Sequence, residues 1–230
     1  MLDERTWERL GALAGLGFVV LTLLATFLYP QQPRIDSSAT TTMAWVHAHR
    51  AALEAGMILG LFGAGLFLWF AAHLRTVIKT TRLATVVYGS GIGVAIMGAL
   101  GALPVGLLCI LDAQGGIQNA DVVRMLGDST QVLYAVGVIM TLVFLASAGA
   151  AMLNRELVAP WLGTVALIAV VLNALAIVTS MTFATYHGAG WAVPGWGAYL
   201  GFVLVVLITS VSLARTPETA PERPAVMAAA

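Results

Sequence analysis

Long apolar runs alternate with short polar ones along the whole chain. Six runs, at about 10–29, 51–72, 83–111, 130–153, 161–182 and 197–214, are separated by connections rich in Pro, Gly, Ser, Thr and charge. A bilayer core of roughly 30 Å needs about 20 apolar helical residues per crossing. The pattern therefore predicts an all-α fold: a polytopic six-transmembrane-helix bundle over 1–215, followed by a Pro- and Ala-rich tail at 216–230 that is expected to be disordered. The first run is too long for the apolar part of a signal peptide and no small-x-small cleavage site follows it, so it reads as a retained helix. Pro30 and Pro33 end that helix, and Pro160 stands at the entrance to the fifth, a favourable place for proline.

The connections carry further expectations. A first outer loop is predicted at 31–42, a second at 112–128 with a turn at Gly115 and Gly116 and a short surface helix over 121–126, and a third at 183–196. The last of these holds Tyr186, His187, Trp191 and Trp196, aromatic types that prefer the headgroup level. The third run is long for one crossing, and Pro104 is expected to divide it, leaving 105–111 as a tilted extension or a re-entrant piece.

Charge sets the direction. Arg5, Arg9, Arg75, Lys79, Arg82, Arg155, Arg215 and Arg223 fall on one side of the predicted bundle, and Arg34, Arg50 and Arg124 on the other. By the positive-inside rule both termini are expected in the cytoplasm, with the chain in the plasma membrane and the longer loops outside. Composition agrees with this class: 60% of residues are hydrophobic and 10% charged, against about 25% charged in a soluble domain. Eleven acids balance eleven bases, which leaves no basic patch and no reason to expect a nucleic-acid partner. Cys109 stands alone in an apolar run and reads as a small buried residue.

Strong catalytic motifs do not occur. There is no phosphate-binding glycine loop with its lysine, no paired cysteines or helix-borne zinc set, and no glycine-flanked nucleophilic serine. The polar residues that remain near the spans are few. Glu54 follows Arg50 by four residues, so an ion pair along one helix is available; acids this close to the bilayer also mark proton or substrate sites. Asn173 is the one amide near the middle of a span, and it reads as an interhelical hydrogen-bonding group or as a substrate contact. Asp128 and Gln131, beside Tyr134, could join Glu54 in an outer polar pocket. His47, His49 and His187 all fall on the outer side and form a candidate metal set, since imidazole suits Zn, Cu and haem iron. An extended backbone at 47–49 would point the first two rings the same way, whereas a helix would point them apart. No resident cofactor is expected.

Small residues recur four apart at Gly11 and Gly15, Gly56 and Gly60, Gly89 and Gly93, and Gly197 and Gly201. Each pair makes a smooth strip on which a neighbouring helix can pack closely. The second span with its flanks, HRAALEAGMILGLFGAGLFLWFAAHLR, the Pro160–Trp161 entrance to the fifth, and the short basic stops after the even helices together resemble the uncharacterised six-helix integral membrane proteins of high-GC Gram-positive bacteria. More distantly, the layout is similar to accessory subunits of Mce-type lipid importers. The resemblance implies a non-catalytic auxiliary or scaffold subunit in a larger envelope assembly, one that handles lipids, with the bilayer and other membrane proteins as partners. Two alternatives follow from the residues: a small proton-coupled transporter using Glu54, and a redox or metal protein using the three outer histidines.

Overall fold

The computed structural model describes residues 4–33, 37–115, 119–183 and 189–215. They form six helices: α1 (Glu4–Leu28), α2 (Ala39–Val77), α3 (Thr81–Ala113), α4 (Ala120–Leu153), α5 (Pro160–Phe183) and α6 (Ala189–Arg215). All six contain a stretch long and apolar enough to cross a membrane, so the chain is a multi-pass membrane protein with the six-helix architecture its hydropathy predicts. The predicted tail at 216–230 lies outside the described residues.

Consecutive helices pack as neighbours, α6 returns to α1, and α2 also touches α4. The last turns of α1, α3 and α5 and the first turns of α2, α4 and α6 lie at one end of the bundle, the distal end; the opposite end, which carries the start of α1 and Arg215, is the terminal end. Near the middle, four aromatic rings from four helices meet. Phe67 of α2 lies 4.7 Å from Phe18 of α1, 5.1 Å from Phe144 of α4 and 5.5 Å from Phe202 of α6, ring centre to ring centre. Edge and tilted contacts of this kind suit the ring quadrupoles and add to simple packing. A second, separate core sits at the distal end, where Val46 and Leu53 of α2 pack with Val105, Leu108 and Cys109 of α3 and Val123 of α4.

Helices α1, α2, α4 and α6 are longer than hydropathy alone suggests. Helix α2 begins at Ala39 rather than near residue 51, because Ser38 caps it, its hydroxyl accepting the Thr41 N–H at 3.1 Å. With 39 residues it rises about 58 Å, against the roughly 30 Å of a hydrocarbon core. Helix α4 begins at Ala120, capped by Asn119, whose side chain accepts the Asp121 N–H. The surface helix expected over 121–126 is therefore the first part of this transmembrane helix and not a separate element. The expected outer loops shrink accordingly.

Pro104 does not divide the third span. Helix α3 runs unbroken through it. Pro104 is buried and is followed directly by Val105, which with Leu108 and Cys109 packs against α2 and α4, and a proline within a membrane helix is tolerated where neighbouring helices hold the chain. The expected third outer loop is also shorter, because α6 already includes residues 189–196 and passes through Pro194. Residues 184–188, including Tyr186 and His187, lie outside the described residues.

The terminal end is tied by one carboxylate. Helix α3 starts at Thr80 without a side-chain cap of its own. Glu156, from the α4–α5 connection, fills that role: Thr80 donates its backbone N–H to Oε2 at 2.8 Å and its hydroxyl to Oε1 at 2.5 Å. Those hydrogen bonds hold the Glu156 carboxyl below the usual carboxylate range.

Candidate functional site

The candidate polar groups separate into a distal collar and an open-sided cavity between helices. Helix α2 carries the collar. Because residues 39–77 are helical, His47 and His49 point to nearly opposite faces and do not converge. His47 Nδ1 lies 3.1 Å from Asp112 Oδ1 of α3, while His49 donates from Nδ1 to the Trp45 carbonyl at 2.8 Å, one turn back on its own helix. His187 lies outside the described residues, and no group of three His, Cys, Asp or Glu side chains comes together as a metal site among the described residues.

Arg50 and Glu54 form the ion pair that their spacing predicts, Nε to Oε1 at 2.7 Å. Both side chains are about two-fifths exposed, 41% and 44%. A pair so placed contributes on the order of 0 to 1 kcal/mol. It lies on the wall of neither distal cavity described next.

The larger cavity, of about 330 Å³, opens between α3, α4, α5 and α6 in the distal half of the bundle, and Phe202 of the aromatic cluster forms part of its wall. Helix α3 contributes Val94, Met97, Gly98 and Gly101, a set at helical spacing, and α4 contributes the stripe Thr130, Leu133, Tyr134, Gly137, Val138 and Thr141. Asn173 of α5 faces these two from the far side, with Tyr199 of α6 beside it. The space exists because of glycine: a side chain at Gly98 or Gly101 would meet nothing within 4 Å.

Most polar groups on this wall are already engaged. Thr130 and Thr141 donate to carbonyls one turn back on α4, Leu126 at 3.2 Å and Gly137 at 3.0 Å. The Tyr199 hydroxyl pairs with Thr26 Oγ1 of α1 at 2.7 Å, which ties α6 to α1. Asn173, only 4% exposed, donates one amide hydrogen to the Ala169 carbonyl at 2.7 Å. Its hydrogen bond is therefore local to α5 and not the interhelical bond its sequence position suggests.

Asp128 lies elsewhere. It lines a smaller pocket of about 50 Å³ nearer the distal end, with Arg124 one turn before it, Gln32 and Ser37 from the α1–α2 connection, and Trp45. The Trp45 indole N–H is buried there without a hydrogen-bond partner. Thr130 is common to both cavities, so the polar pocket and the apolar one share a wall. The structure thus sets Asp128 and Asn173 on adjoining cavities and leaves Glu54 outside both.

The glycine pairs divide by face. Gly11 packs on His73, Gly15 on Phe70 and Ser210, Gly197 on Leu172 and Gly201 on Ala169, so both members of these two pairs lie at helix contacts. Gly56 meets Tyr29 and Gly93 meets Met140, but Gly60 and Gly89 have no neighbour within 4 Å. Close approaches between small residues also lie outside the spacing-four pairs, among them Gly163 against the Gly149 carbonyl and Gly91 against Ala71. Each takes one small residue from each of two helices, a pattern that spacing along a single helix does not display. Nothing in the spacing of Gly98, Gly101 and Gly137 marks them as cavity residues either.

No protein-family model, curated protein or solved structure matches the chain.

Proposed function

We propose that this protein is a non-catalytic auxiliary or scaffold subunit of a larger plasma-membrane assembly that handles lipids, with both termini in the cytoplasm. One observation carries the reading: the polar side chains best suited to chemistry, Arg50, Glu54, His47 and His49, are engaged in separate pairwise contacts rather than gathered around a common centre. The lipid-side glycines Gly60 and Gly89, open on α2 and α3, support a role beside other membrane helices. The excess of basic residues at the terminal end supports the orientation.

The test is purification of the natively expressed, tagged protein in mild detergent, with mass spectrometry of what accompanies it. A stoichiometric set of membrane partners is the expected result, and a clean monomer at native expression level sinks the reading. Fusions check the orientation: green fluorescent protein at the carboxyl terminus should fluoresce, and alkaline phosphatase there should be inactive.

The larger cavity favours a second reading, a small transporter. Its wall has Asn173 but not Glu54, so proton coupling through Glu54 would have to act on the cavity from outside. Glu54→Gln should then leave any solute uptake by the purified protein in vesicles intact. Abolished uptake with the fold preserved would restore Glu54 as the coupling acid.

A further inference from the structure

We propose that the 330 Å³ cavity between α3, α4, α5 and α6 is a binding site for a slender neutral amphiphile drawn from the bilayer, a hydrocarbon chain bearing one hydroxyl or carbonyl group that Asn173 recognises. The proposal is independent of whether the chain works within a larger assembly.

Size is the first argument. Ligand-binding clefts begin at roughly 300 Å³. The cavity passes that threshold. Its making is specific, too: Gly98 and Gly101 on α3 leave open space where a side chain would stand, and Gly137 on α4 lies close against Met97 of α3.

The chemistry of the wall chooses the occupant. No Asp, Glu, Lys, Arg or His lies among the lining residues, so nothing there compensates a charge. Valine, leucine, methionine, phenylalanine and glycine supply most of the surface, which suits a chain and suits water poorly, since a buried water needs two to four polar partners. The threonine hydroxyls donate into their own helix and the Tyr199 hydroxyl is held by α1. Asn173 is different. An asparagine amide can donate two hydrogen bonds and accept two, and Asn173 makes one, to Ala169, while more than nine-tenths buried on the cavity wall. Its remaining donor and its acceptor suit a hydroxyl or carbonyl oxygen on an otherwise apolar molecule.

The experiment places the full chain in phosphatidylcholine vesicles with two photoactivatable probes: a long-chain fatty alcohol carrying a mid-chain diazirine, and the matching hydrocarbon without the hydroxyl. Crosslinks from the alcohol should concentrate on 130–141 of α4 and 198–202 of α6. Asn173→Leu should lower that labelling about tenfold, the scale of one buried hydrogen bond, and leave the hydrocarbon's labelling unchanged. Gly101→Leu, which fills the cavity from another wall without touching Asn173, should remove labelling by both probes. It decides the matter even if Asn173→Leu fails to fold, as judged by gel filtration. Labelling spread evenly over the lipid-facing surface, equal cavity labelling by alcohol and hydrocarbon, or labelling indifferent to Gly101→Leu would each overturn the proposal.

Discussion

Arg155 has a backbone φ of 59°, the left-handed region that an L side chain enters at a cost of roughly 1 to 2 kcal/mol. It sits where α4 ends, and the chain reverses through two bonds: Glu156 N–H to the Ala151 carbonyl and Arg155 N–H to the Met152 carbonyl, both 2.9 Å. This is the arrangement in which glycine is usual. Arg155→Gly should therefore raise stability by about 1 kcal/mol, read as a higher temperature for loss of the monodisperse peak in detergent. The next residue supplies a pH dependence. Glu156 is held below its unfolded value by Thr80, so its contribution is complete above the ordinary carboxylate pKa of about 4.3 and is lost as pH falls through the lower folded value. Thermal stability measured down that range should decline in the wild type, and Glu156→Gln should remove this share of the decline. The Arg50–Glu54 pair was legible because both partners lie on one helix; Thr80 and Glu156 are 76 residues apart, and no local spacing announces their contact.

At the scale of the helix, hydropathy located the six apolar runs and did not report where the helices themselves begin. A sliding apolar pattern reports where a helix meets lipid, whereas Ser38 and Asn119 start helices in polar sequence well before that point. Pro104 gives the opposite case: its local effect is real, but the packing of the residues that follow it, Val105, Leu108 and Cys109, on α2 and α4 decides whether the helix continues. Packing between helices was legible only where both glycines lay on one helix. The contrast gives a sharp pair of substitutions. At Gly163 a methyl group would meet the Gly149 carbonyl at 2.8 Å, so Gly163→Ala should push α5 from α4 and destabilise by about 1 to 3 kcal/mol. Gly60 faces open space, and Gly60→Ala should be neutral or stabilising by up to about 1 kcal/mol through helix propensity. Unfolding in mixed micelles with rising dodecyl sulfate compares the two directly.

At the scale of the whole molecule, one ring joins four helices. Phe67 is fully buried against Phe18, Phe144 and Phe202, so Phe67→Ala should leave a void shared by α1, α2, α4 and α6 and cost about 3 kcal/mol. Phe62, on the same helix but 68% exposed to the surroundings, is the control: Phe62→Ala should change stability by less than about 0.5 kcal/mol in the same titration. The six-helix architecture was readable from composition and period, because lipid permits so few ways to satisfy a backbone. The cavity was not, since its lining comes from four helices and the open space beside Gly98 and Gly101 becomes visible only when those helices are placed side by side.

The length of α2 has a mechanical consequence. From Ala39 to Arg50 the helix climbs about 18 Å above the start of its apolar stretch without a joint, and the distal core clamps it there to α3 and α4. Such a post is a lever. A load on the tip near Ser38 therefore meets that clamp first, at Val46 and Leu53, and passes to α3 and α4 rather than being taken up in a loop.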